Sequence, residues 1–194
     1  QLSFALCGGA FSGGGFSKAI SIHPTTKDVS VITLNGIPFF TDAARNSMYT
    51  HDVSGTATSA DGNTAYGFGA LDAITGGDLN TVVGHLAGSA INSGSNNVLM
   101  GYATGDALTT GSDNVAIGYA ALSVENTGNR NVAIGKGALN ALDFDGNGYN
   151  TAVGYNAGLA VTTGVQNTLV GGLAGDAMTD GVRNVAVGYS SLSG

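Results

Sequence analysis

Apolar and polar positions follow two different rhythms along this chain, and the change falls near residue 63. Before it, Val29-Ser30-Val31-Ile32-Thr33-Leu34 alternates with period two, the pattern of a half-buried strand. Asn35-Gly36 follows at once; both residues tolerate positive φ, so the pair suits a two-residue hairpin turn. Ile37-Pro38-Phe39-Phe40 is then the returning strand, and Pro38, which has no N–H for a ladder, predicts that this strand lies at a sheet edge. Thr41 to Met48 predicts a short helix with Thr41 as its N-cap. His51 to Gly62 is a polar connector, and Leu2 to Phe16 is apolar and glycine-rich. Residues 1–62 therefore read as a small non-repetitive, β-rich adaptor or capping module, too short to build an enzyme core of its own.

From residue 63 the pattern repeats. Asparagine recurs at Asn63, Asn80, Asn97, Asn114, Asn131, Asn150, Asn167 and Asn184, and glycine follows each by four residues, at Gly67, Gly84, Gly101, Gly118, Gly135, Gly154, Gly171 and Gly188. The interval is 17 residues everywhere except between Asn131 and Asn150, where it is 19. The three residues between Asn and Gly are drawn mostly from Thr, Val, Ala, Ile, Leu and Met, a set enriched in β-branched side chains that favours a short strand. A strand that always ends in glycine turns a corner there. A second short apolar segment follows, such as Tyr119-Ala120-Ala121-Leu122, and then a turn such as Thr162-Thr163-Gly164.

Two short strands and two turns per unit predict one coil of a flattened parallel β-solenoid, or β-roll. Helical repeats need roughly 30 residues or more per unit and are excluded. About eight rungs stacked at about 4.8 Å give a rod of about 40 Å over residues 63–194. An asparagine at the same place in every rung predicts an amide ladder, each side chain bonding the next.

The strand also carries information about assembly. In Asn-x-x-x-Gly the second and fourth positions face one way and the third the other. Both sets are apolar, and a slim solenoid has only one interior. A row of apolar side chains on the other face is an interaction patch. Oligomerisation covers it, and closure of three solenoids around one axis predicts a homotrimer.

Composition narrows the partners. Only 10% of residues are charged, and six basic residues against thirteen acidic ones leave a net charge of -7. That balance cannot neutralise a phosphate backbone, so nucleic acid is excluded as a partner. It argues equally against an anionic membrane surface. No run of about 18 apolar residues occurs, so no membrane-spanning helix is predicted. Cys7 is the only cysteine, which rules out an intrachain disulfide framework. Leu6 precedes it where a lipoprotein signal wants a small residue, and a buried thiol is the simpler reading. Gln1 in place of methionine, and an end at Ser193-Gly194 inside the eighth unit, read as a processed chain or a portion of a longer one.

Candidate chemistry is sparse. Asp143, Asp145 and Asn147 lie in the 19-residue interval, in Asp143-Phe144-Asp145-Gly146-Asn147-Gly148. This resembles the opening of a calcium loop, but the distal glutamate is missing, and a turn-rich two-residue insertion explains it. Asp72, Asp106 and Asp176 share one repeat position, and Glu125 is the only glutamate. No pair of carboxylates is set up for glycoside cleavage. His23, His51 and His85 have no evident partners. The residues after each corner glycine, Phe68, His85, Tyr102, Tyr119, Lys136, Tyr155, Gly172 and Tyr189, form a mostly aromatic row that can stack along the rod or stack on a sugar. Threonines are too irregular for an ice-binding face. No catalytic, cofactor or metal-binding residue is assigned, and the chain is read as a non-enzyme.

The block Asn-[Thr/Val]-Ala-[Ile/Val]-Gly-Tyr-x-Ala-Leu resembles the head repeat of trimeric autotransporter adhesins, and the 17-residue form closed by Thr-Thr-Gly is similar to repeats of phage tail-fibre and bacterial surface proteins. The resemblance covers residues 63–194 and implies a trimeric left-handed parallel β-roll. It also implies a structural fibre or spike on a virion surface, mediating host attachment or extending a receptor-binding tip. Residues 1–62 would then join a virion or surface-attachment protein, and a host glycan or protein would be the receptor. A bacterial cell-surface adhesin or extracellular filament subunit is the alternative.

Overall fold

The structure, a computed structural model, describes residues 59–193 in full and, within residues 1–58, the strand backbones at 29–34, 37–42 and 47–49. One sheet runs through all of it, its strands neighbours in chain order. The first three are β1 (Val29–Leu34), β2 (Ile37–Asp42) and β3 (Ser47–Tyr49). Eight three-residue strands follow: β4 (Thr64–Tyr66), β5 (Thr81–Val83), β6 (Val98–Met100), β7 (Val115–Ile117), β8 (Val132–Ile134), β9 (Thr151–Val153), β10 (Thr168–Val170) and β11 (Val185–Val187). From β4 to β11 every pairing is parallel and in register with the repeat, so Ala116 lies beside Ala133 and Ala133 beside Ala152. This is an all-β parallel solenoid, and among the described residues there is no helix.

The N-terminal strands agree with the sequence in part. β1 and β2 pair antiparallel with Leu34 opposite Ile37; Asn35-Gly36, where the turn was expected, lies outside the described residues. Two expectations are corrected. Thr41 and Asp42 end β2 and Ser47 to Tyr49 form β3, so no helix spans Thr41 to Met48; strand pairing on both sides outweighs a weak helical preference. β2 is also not an edge strand, since it pairs with both β1 and β3. Pro38 is nonetheless accommodated, because β3 reaches only from Phe40 to Asp42 and needs no N–H from Pro38. β3 then pairs parallel with β4, Tyr49 beside Ala65.

Each rung contains one strand, not two. The second apolar segment is a coil of turns, because two of its residues sit in the left-handed region in every rung. Counting the repeat asparagine as position 1, these are position 7 (Leu86 at φ 58°, Ala120 at 50°, Asn156 at 52°) and position 9 (Leu71 at 55°, Leu122 at 55°, Leu139 at 48°). A strand cannot pass through such residues. The segment still bonds rung to rung, as Leu122 N–H donates to the Ala138 carbonyl at 3.1 Å. Position 17 is left-handed too, from Leu79 at φ 58° to Arg183 at 60°, and turns the chain into the next asparagine.

The core is a set of columns. Position 3 is inside in every rung: Ala65, Val82, Leu99, Ala116, Ala133, Ala152, Leu169 and Ala186 are buried. Position 9 complements it. Where position 3 is alanine, position 9 is leucine, as in Ala65 with Leu71, Ala116 with Leu122 and Ala133 with Leu139; where position 3 is larger, position 9 is glycine, as in Val82 with Gly88, Leu99 with Gly105 and Leu169 with Gly175. A Cβ on Gly105 would lie 3.1 Å from Leu99 Cδ2, and one on Gly175 would lie 2.9 Å from Leu169 Cδ2. The rung of Ala152 and Gly158 is small at both places, and its neighbours fill it: a Cβ on Gly158 would lie 2.9 Å from both Leu139 Cδ2 and Leu169 Cδ1. Position 12 completes the core with Ile74, Ile91, Leu108, Leu142 and Val161, all buried.

Residues 59–62 already behave as the end of a preceding rung. Ala60 is buried in the same core, and the Ser59 N–H donates to the Thr75 carbonyl at 3.0 Å.

Candidate functional site

The eight asparagines line the inside of one corner, and seven of them, Asn63 to Asn167, are buried. From Asn80 to Asn184 each side-chain amide donates to the carboxamide oxygen of the asparagine one rung before, over 3.0 Å from Asn80 to Asn63 and 3.3 Å from Asn150 to Asn131. The same oxygen also accepts the backbone N–H of the following asparagine, 2.9 Å for Asn80. The second amide hydrogen reaches a carbonyl across the rung, as from Asn97 to Gly111 at 2.9 Å. An internal asparagine thus uses both donors and both acceptor sites, which is what a buried carboxamide requires. The chain of bonds continues without a break across the 19-residue interval.

The corner glycines from Gly67 to Gly171 are demanded twice, and Gly188 by its φ alone. Their φ runs from 123° at Gly188 to 143° at Gly154, a region that side chains rarely enter. A Cβ on Gly84 would also lie 2.2 Å from the Gly101 carbonyl oxygen, and one on Gly118 would lie 2.6 Å from that of Gly135. Backbone stacks directly on backbone at this corner.

A second polar ladder, which sequence reading missed, runs at position 16. There the backbone N–H of one rung donates to the side chain of the next: Asp61 to Asp78 Oδ1 at 2.7 Å, Asp78 to Ser95 Oγ at 2.9 Å, Ser95 to Ser112 Oγ at 3.0 Å and Ser112 to Asn129 Oδ1 at 2.8 Å. Val165 and Val182 hold the equivalent place in later rungs, so this ladder belongs to the first half of the array. The common signal, a short oxygen-bearing side chain every 17 residues, was available in the sequence.

The 19-residue interval has its own device. Glu125 occupies position 12, the aliphatic core column, and is fully buried. In earlier rungs, N–H groups of this turn converge on a carbonyl of the following rung, as Thr75, Gly76 and Gly77 do on Asn92. The inserted residues remove that acceptor, and the Glu125 carboxylate replaces it: Oε1 accepts from Gly128 N–H at 2.7 Å and Asn126 N–H at 3.1 Å, and Oε2 from Phe144 N–H at 3.4 Å. Burial raises its pKa above the ordinary carboxylate range, the three N–H donors oppose that rise, and nearby Asp143 adds to it. The loop itself pairs Asn129 with Asn147 as an isolated bridge, and Asp145 accepts from the Thr127 hydroxyl.

Few of the other candidate residues are brought together. Asp106 and Asp176 stand four rungs apart, and each buries one carboxylate oxygen without a hydrogen-bond partner among the described residues; burial raises the pKa of Asp106. Among the described residues no group of three or more His, Cys, Asp or Glu side chains is placed to hold a metal ion, and no helix is long and apolar enough to cross a membrane. Cys7, His23 and His51 lie outside the described residues.

The aromatic row forms a stack along the outside of the rod. Ring centroids are 5.7 Å apart from Phe68 to His85, 5.4 Å from His85 to Tyr102 and 5.4 Å from Tyr102 to Tyr119. Stacked rings turn their faces to each other and present edges to solvent, which disfavours a row of flat sugar platforms. The outward strand positions form the other surface feature: Tyr66, Val98, Met100, Val185 and Val187 are exposed, Val185 to 75%, while Val115, Ile117, Val132 and Ile134 are half-buried. Comparison with known proteins leaves these features to be interpreted on their own: no protein family, no curated protein and no solved structure matches this chain.

Proposed function

We propose that this chain is the shaft of a homotrimeric surface fibre, phage tail-fibre-like, that carries or extends a host-attachment tip. The observation behind this reading is the outward face of the strand column. Its fourth position is apolar in every rung, its second is valine or threonine, no charge breaks it, and in one chain it stays exposed or half-exposed throughout. A surface of this kind running along a rod is the seam of a bundle of like rods. The rest of the molecule is scaffold: a rung-by-rung backbone stack, an amide ladder and a filled core. The resemblance of the repeat to trimeric autotransporter heads and tail-fibre repeats supports the same reading, and the absence of any repeated carboxylate or histidine pair in the sequence argues for mechanical support over catalysis.

Sedimentation equilibrium tests the assembly. The expected mass is three times the 19.1 kDa chain, and a stable monomer at micromolar concentration overturns the trimer. Gold-labelled antibody to the chain tests the location, with label on virion fibres expected. Label confined to bacterial surfaces would replace the tail fibre with a cell-surface adhesin built on the same trimeric shaft. Incubation with host capsular polysaccharide tests the non-enzymatic assignment, which shortened glycan chains would overturn.

A further inference from the structure

The aromatic row is interrupted twice, and the two interruptions explain each other. At the first, Lys136 replaces an aromatic residue. Its Nζ lies 5.5 Å from the ring centroid of Tyr119 and 5.8 Å from that of Tyr155. Two tyrosines two rungs apart therefore hold an ammonium group between them, within the distance at which a cation is attracted to an aromatic face.

At the second, Tyr155 and Tyr189 are again two rungs apart, and the intervening residue is Gly172. Nothing in the backbone requires a glycine there. Unlike the corner glycine beside it, Gly172 does not take a positive φ. A Cβ added to it would meet only the Tyr189 ring, at 3.5 and 3.7 Å, which is ordinary contact. The fold accepts a Cβ there, and the rung carries none. Both flanking tyrosines are exposed, Tyr155 to 53% and Tyr189 to 80%.

We propose that the gap at Gly172, between Tyr155 and Tyr189, is a binding site for an alkylammonium group supplied from outside the chain, in the place that Lys136 fills between Tyr119 and Tyr155. Two further facts favour a cation. The net charge of -7 draws positive ligands to the surface, and tyrosine faces attract cations through the ring quadrupole. Its three residues lie on one chain, so the site needs no side chain from a second copy.

The test is an NMR titration of the full chain with tyrosine ring carbons labelled. Tetramethylammonium chloride stands for quaternary head groups, Nα-acetyl-lysine amide for a lysine side chain, and sodium chloride at equal ionic strength is the control. Saturable shifts are expected at Tyr155 and Tyr189 and not at Tyr66, and the tighter of the two probes identifies the source of the ammonium. Gly172→Lys, which supplies an ammonium on the empty rung, should weaken binding about 10-fold, as expected for losing two exposed cation–aromatic contacts. Lys136→Gly should open a second gap and add Tyr119 to the shifted set; this arm stands even where Gly172→Lys fails to fold. The proposal is overturned by shifts that do not saturate or that sodium chloride reproduces. It is equally overturned by binding that Gly172→Lys leaves intact, or by tighter binding of a neutral methyl glucoside.

Discussion

At Asn114 the side chain makes four hydrogen bonds and exposes nothing. It donates to Asn97 Oδ1 at 3.2 Å and to the Gly128 carbonyl at 2.9 Å, and accepts from the backbone and side chain of Asn131 at 2.9 and 3.3 Å. Asn114→Ala strands the Gly128 carbonyl and the Asn131 N–H in a buried setting. Each buried group left unsatisfied costs about 1–3 kcal/mol, so a loss of about 3 kcal/mol is expected in urea unfolding, against a loss near zero for an exposed control such as Asn126→Ala. Glu125 makes a different prediction, because its burial disfavours the charged form. Its pKa is raised in the folded state, so the folded chain binds the proton more readily than the unfolded one. The stability it contributes is fully present below the ordinary glutamate range and is lost as pH rises through the raised value. Comparing wild type with Glu125→Gln across pH 3.5–8.5 isolates this term, since Asp106, also raised, is common to both. The expected result is an advantage of wild type that shrinks with rising pH; an advantage that grows would show the carboxylate held charged by its three donors. The ladder asparagines were legible in the sequence because position alone reveals them. Glu125 was legible only as an anomaly, a lone acid in an aliphatic column next to the one long interval, because its role depends on a carbonyl that the long rung does not supply.

Within a rung, the sequence revealed the first strand and misled about the second. Alternation and β-branched residues mark β4 to β11 directly. The segment after the corner is just as apolar, yet Leu122 and Leu139 adopt left-handed φ, a state that no composition signal announces for leucine. The core exchange between positions 3 and 9 was present in the sequence as a reciprocal pattern, but its meaning depends on two residues six apart pointing into one space, which only the coil geometry establishes. That exchange predicts a rescue. Leu99→Ala alone should cost about 2–5 kcal/mol through lost burial and the cavity left behind. Gly105→Leu alone should destabilise as well, because Leu99 already fills the space. The double substitution converts this rung to the arrangement of Ala116 with Leu122, where leucine is accepted at φ 55° against 57° for Gly105. More than half of the Leu99→Ala loss should therefore return in a double-mutant cycle. Additive losses would mean that the pairing is not set by shared volume.

For the whole molecule, the decisive contrast is between the two faces of one strand. Ala116 and Ala133 point into the solenoid and are fully buried, while Ile117 and Ile134 are half-buried on the outer face. Both faces read as apolar in the sequence, and burial of the central residue of every strand from β4 to β11 marks the inner one. A lysine on the inner face, Ala116→Lys, places a charge in a packed core and should unfold the rod, with circular dichroism losing its β signal. Two lysines on the outer face, Ile117→Lys with Ile134→Lys, leave every hydrogen bond and core column of the single chain in place. If that face is the seam of a trimer, the charges sit at the centre of the bundle, where six of them would be buried together. The double variant is then expected to keep its circular dichroism spectrum and sediment at the 19.1 kDa monomer mass. Unchanged trimer mass with an unchanged spectrum would move the seam to another face of the rod. Loss of the spectrum together with the trimer would mean that the single rod cannot stand without its partners, since a column of three-residue strands has few contacts beyond its nearest rungs.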